Sequence, residues 1–99
     1  MLHIVNKSPF QTSALDSCLR LAKPGSALLL IEDGVYAATA GSATEPRIRQ
    51  ACARLQVYAL RPDLDARGLA TKAIEGVTLI DYAGFVDLAV EHPTSQSWL

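Results

Sequence analysis

Four short runs rich in Leu, Ile, Val and Ala constrain this chain more than any other feature: Leu2–Val5, Ala27–Ile31, Val57–Leu60 and Val77–Ile80. A strand wetted on one face alternates apolar and polar residues. Runs that stay apolar at consecutive positions suit strands covered on both faces. Between the runs the period changes to that of a helix. Leu15, Cys18, Leu19 and Ala22 fall at i, i+3, i+4 and i+7 behind a possible cap at Thr12 or Ser13, and Pro24-Gly25 ends the segment. Pro46 suits a first helical position, and Ile48, Ala51, Cys52 and Leu55 repeat the stripe. A third helix spans Tyr82 to His92, with Phe85, Leu88, Ala89 and His92 on one face and Pro93 as its stop. Strands alternating with helices imply right-handed crossovers and a parallel sheet with helices on both faces. The expected fold class is therefore α/β, an open doubly wound parallel sheet, with Thr94–Leu99 as a polar tail ending in Trp98-Leu99.

Length and charge narrow the function classes. Ninety-nine residues make one domain, residues 1–99. Nine Lys and Arg against ten Asp and Glu give a net charge of −1, which removes the electrostatic drive for direct nucleic-acid binding. With 49% hydrophobic and 19% charged residues the chain is not disordered. The longest unbroken apolar run, Ala27–Ile31, falls far short of the roughly 20 residues that span a bilayer, so no membrane association is expected. The first residues lack the pattern of a secretory signal, and two cysteines without export read as reduced thiols in the cytoplasm.

In doubly wound sheets, sites form beyond the carboxyl ends of the strands. Those edges carry Asn6-Lys7-Ser8, Glu32-Asp33-Gly34, Arg61-Pro62-Asp63 and Asp81-Tyr82. None of the glycines has the spacing of a dinucleotide or phosphate loop, so no cofactor is expected. Asp33-Gly34 reads first as a turn with a helix cap and second as an acidic edge. Asp63, Asp65 and Arg67 read as a capped turn with a local Asp–Arg pair, leaving an anion contact at Arg61 and Arg67 open. Arg47, Arg49 and Arg54 look like one solvated helix face. His3 lies in a buried strand and His92 at a helix end; neither has a Cys or carboxylate at ligand spacing, and no metal site is expected. Cys18 and Cys52 are the only strong nucleophile candidates, yet both occupy apolar stripes, where a thiol is inert packing.

Read in order, the segments carry a resemblance. Met1–Phe10 (MLHIVNKSPF) is followed by Leu15-Asp16-Ser17-Cys18-Leu19 and Glu32–Ala38 (EDGVYAA). Val57–Leu60 comes next, with Asp63–Leu69 (DLDARGL), and Ile80-Asp81-Tyr82 with Phe85–Leu88 and Trp98 closes the set. This succession resembles the DsrH/TusB family, the small subunit of the DsrEFH and TusBCD sulfur-transfer complexes. The resemblance implies a small three-layer α/β fold of the DsrEFH kind and a cytoplasmic heterohexamer with DsrE/TusD-like and DsrF/TusC-like partners. It implies a persulfide relay between carrier proteins, ending either at the 2-thio group of the tRNA wobble uridine or in oxidation of stored sulfur. It also implies that the principal sulfur-bearing cysteine belongs to the DsrE/TusD partner. Cys18 matches a segment in which DsrH-like chains carry a cysteine, which makes it a candidate auxiliary sulfur-carrying thiol and tips the resemblance toward the oxidation branch. The competing reading is a free-standing α/β protein that binds a small anionic ligand near Lys7, Arg61 and Arg67.

Overall fold

The apolar runs form the interior of one parallel sheet. The computed structural model describes residues 1–98 and gives strands β1 (Leu2–Val5), β2 (Ala27–Leu30), β3 (Gln56–Leu60), β4 (Thr78–Ile80) and β5 (Ser95–Trp98). Their order across the sheet is β4-β3-β2-β1-β5, and every pairing is parallel. The helices are α1 (Ala14–Leu21), α2 (Glu45–Cys52), α3 (Arg61–Ala66) and α4 (Tyr82–Glu91), with 3₁₀ segments at Glu32–Ala38 and Ala70–Lys72. The α/β expectation holds, and four strands match their runs to within one residue at either end. Ile31 and Val77 fall just outside β2 and β4.

Strand parity sorts the core into two unequal halves. His3, Val5, Leu28, Leu30, Val57 and Ala59 point to one face, which α1, α2, α3 and the 3₁₀ segment cover; Leu15, Cys18, Ile48 and Leu64 fill that half. Leu2, Ala27 and Leu29 point to the other face, where Leu88 of α4 is the buried helical contribution. Ile4, Ile31, Tyr58, Ile80 and Phe85 pack there but keep part of their surface exposed. The asymmetry follows from topology. The chain steps from β1 to β4 in one direction, which sends right-handed crossovers over one face, and only the return from β4 to β5 uses the other.

Several local expectations are corrected. The polar tail is a strand: β5 pairs in parallel with β1, placing Val5 beside Trp98. Arg61–Ala66 is a helix rather than a turn, with Pro62 in its first turn. Glu32–Ala38 winds as a 3₁₀ helix rather than a tight turn. Ala89, expected on the buried face of α4, is exposed. Arg54 lies beyond the end of α2, and its guanidinium donates to the carbonyls of Ala22, at 3.0 Å, and Leu19. It therefore satisfies orphan acceptors at the C-terminus of α1 while staying exposed, as Arg47 does.

Candidate functional site

The thiol singled out in the sequence is fully enclosed. The α1 stripe turns Leu15, Cys18 and Leu19 inward, and Cys18 has no exposed surface. Burial pushes its thiol up to about 11, only partly countered by the nearby Arg54 guanidinium. At neutral pH it therefore stays a protonated thiol rather than the thiolate, the form that attacks sulfur. Cys52, expected in the core, is half-buried at the end of α2, and desolvation raises its thiol as well. Gly76 lies against it: a Cβ there would sit 3.5 Å from the sulfur.

The carboxyl edges of β1, β2 and β3 bring distant charges together. Asp63, in the first turn of α3, accepts the backbone N–H of Glu32 at 2.6 Å. Glu32 holds a left-handed backbone, φ 50°, so the carboxylate clamps a conformation that a non-glycine residue rarely adopts. Asp33 then accepts two bonds from Arg67, at 2.8 and 3.2 Å. The same guanidinium donates to the Asp63 carbonyl at 2.9 Å and lies 5.8 Å from the centre of the Tyr36 ring. The Asp–Arg pair expected within residues 63–67 is thus replaced by one reaching back 34 residues. Gly34 follows at a place where no side chain fits. A Cβ would lie 2.2 Å from the Val5 carbonyl oxygen, so the 3₁₀ segment seats directly on the end of β1. Arg67 is held internally, while Lys7 and Arg61, the other two cations of the anion-site reading, remain exposed.

A second juxtaposition lies at the β1–β5 edge. The Trp98 indole donates to Nδ1 of the buried His3 at 3.1 Å. Both rings line an open cavity of about 410 Å³ with Met1, Leu21, Lys23 and Gln96. As an acceptor at Nδ1, the His3 imidazole is neutral with its proton on Nε2, and burial lowers its pKa in the same sense. Neither this contact nor the Asp33–Arg67 bridge has a sequence signal, because each joins residues far apart in the chain. Among the described residues no group of three or more His, Cys, Asp or Glu is placed to hold a metal ion. No helix of the structure is long and apolar enough to cross a membrane.

Comparison with known proteins extends this picture. The family model described as DsrH like protein matches residues 7–95. Proteins named TusB from Pectobacterium parmentieri and Escherichia coli K12 are 44% and 43% identical over 98 residues, which span 99% of this chain and all of theirs. Among solved structures, the ychN protein of E. coli superposes with a TM-score of 0.84 at 20% identity, covering 97% of each chain. A protein of unknown function from Methanobacterium thermoautotrophicum, MTH1491, gives 0.74 at 16%, covering 97% of this chain and 95% of that one. At those identities the structural likeness concerns the fold alone.

Proposed function

The chain belongs to the DsrH-like family, and from that premise we propose that it is a subunit of a sulfur-relay complex, in which it shapes the assembly rather than carrying the principal sulfur. End-to-end likeness to TusB proteins is the observation that carries this reading. The proposed assembly is a cytoplasmic heterohexamer in which this chain, a single domain of residues 1–99, joins DsrE/TusD-like and DsrF/TusC-like partners.

Persulfide relay is thiol chemistry. An acceptor thiolate attacks the terminal sulfur of a donor persulfide; a new S–S bond forms as the old one breaks, and the donor leaves as a thiolate without net oxidation. The step needs a reachable thiolate, and Cys18 is enclosed and protonated. Its burial supports leaving the principal thiol to the DsrE/TusD-like partner, with Cys18 as packing. An auxiliary carrier role for Cys18 requires α1 to open. Burial also explains Cys18 without any branch-specific role, so the lean it gave toward sulfur oxidation loses its footing. The TusB relatives weigh toward the tRNA 2-thiouridine branch. The anion-binding alternative is weakened by the engagement of Arg67 with Asp33.

Co-expression with the two partner chains, followed by native mass spectrometry and then by loading with a persulfide donor, tests the proposal. One complex holding all three chains is expected, with sulfur adducts on the DsrE/TusD-like chain and none here. A chain that stays monomeric beside both partners would overturn the subunit reading. An adduct on this chain that disappears in Cys18→Ser would overturn the scaffold assignment.

A further inference from the structure

One helix covers the second face of the sheet, and it covers that face incompletely. Leu88 of α4 is buried, yet Tyr82, Val86 and Val90, spaced one turn apart along the same helix, are 60%, 62% and 77% exposed. At that spacing they form a continuous outward stripe, a pattern that soluble helices reserve for a covered surface. Charge indicates what covers it. The helix and its cap carry Asp81, Asp87 and Glu91, all exposed, and no Lys or Arg. A second copy meeting this helix with its own α4 would bring only carboxylates to the rim. Three of this chain's own six arginines are already engaged, Arg47 with Asp16, Arg49 with Glu45 and Arg67 with Asp33, which leaves fewer cations on this chain to answer that rim.

We propose that the outer face of α4 is the docking surface for a chain of different sequence, whose contacting face is apolar and rimmed by lysine or arginine. The apolar stripe supplies the water-excluding centre, and the acidic rim supplies steering and register. This inference rests on the reading of the chain as a subunit and assigns one of its partner-facing surfaces.

The test uses this chain co-expressed with its DsrE/TusD-like and DsrF/TusC-like partners. Val86→Glu/Val90→Glu is expected to keep the wild-type circular dichroism and melting temperature, because both side chains are already in water, while affinity falls at least tenfold. Asp87→Lys/Glu91→Lys is expected to weaken assembly at low salt and to flatten its salt dependence. In the unmodified complex, amide exchange over residues 82–91 should slow relative to the free chain. Full assembly by the valine variant, an unaltered salt response in the lysine variant, or unchanged exchange over 82–91 would each overturn the proposal. So would a dimer of the isolated chain that the valine variant dissolves, since the occupant would then be a second copy. If the wild-type chain fails to assemble at all, the subunit reading falls and takes this one with it. Wild-type assembly with indifferent variants removes the docking face alone.

Discussion

The indole of Trp98 donates a hydrogen bond to Nδ1 of His3 across 95 residues of chain, joining the last described strand to the first. The ring centroids lie 6.0 Å apart with the planes tilted by 36°. The contact holds an edge strand, Ser95-Gln96-Ser97-Trp98, whose other side chains are small or polar and exposed. Trp98 is the one residue of β5 that packs against the main core.

Trp98→Ala should therefore destabilise the chain by about 2 kcal/mol, less than for a fully buried tryptophan because Trp98 is only partly buried. Trp98→Phe keeps most of the packing but leaves Nδ1 of His3 without its donor, a loss of about 1 kcal/mol. Urea denaturation followed by circular dichroism measures both. Equal stability of all three proteins would show that β5 contributes nothing to the fold.

The same pair sets a pH dependence. Burial and the nearby N-terminal ammonium hold the His3 imidazole below its ordinary value of 6.5. As pH falls through 6.5 the unfolded chain takes up this proton and the folded chain does not, so stability declines until the folded pKa is reached. Above pH 7 the term vanishes. Denaturation midpoints between pH 8 and pH 5 should show this decline, and His3→Gln should flatten it. A wild-type profile unaltered by His3→Gln would remove His3 as the cause.

Gly34→Ala tests the close seat of the 3₁₀ segment on β1. A methyl group 2.2 Å from the Val5 carbonyl oxygen cannot be accommodated without backbone movement. We expect a loss of about 3 kcal/mol or insoluble protein, at the upper end of overpacking costs. A melting temperature within a degree of wild type would contradict the packing described.

Thiol labelling separates the two cysteines. Half-buried Cys52 should react slowly in the native chain, and Cys18 only after unfolding. Cys18→Ser places a hydroxyl among Leu15, Leu19 and their neighbours and should cost about 2 kcal/mol, whereas Cys52→Ser should cost under about 1. Native-state modification of Cys18 as fast as that of Cys52 would show that α1 opens readily.

Local chemistry alone accounts for much of this architecture. A run such as Ala27–Leu30, apolar at every position, has one stable environment, the middle of a sheet with both faces covered, and all four residues are fully buried. The Leu15–Ala22 stripe likewise prescribes which side of α1 turns inward, including the burial of Cys18. These features depend on residues within one or two turns or strands of one another, so periodicity reveals them.

Elsewhere the partner that decides the structure is remote. Ser95–Trp98 has no strand-like composition; it extends because β1 would otherwise expose a row of unpaired amides and carbonyls, and pairing in register satisfies them. Arg67 prefers Asp33 to the nearer carboxylates because α3 brings its guanidinium to the end of β2, an arrangement that exists only once the sheet has formed. The exposed side of α4 has the same origin. Its composition reads as a helix covered on most of its surface, but the sheet supplies contacts to one flank only. Sequence determines where β1 to β4 and the helices α1, α2 and α4 form and which stripe of each is apolar. Which stripes find cover, and which are left for another molecule, is decided by the crossover order that places three helices on one face and one on the other.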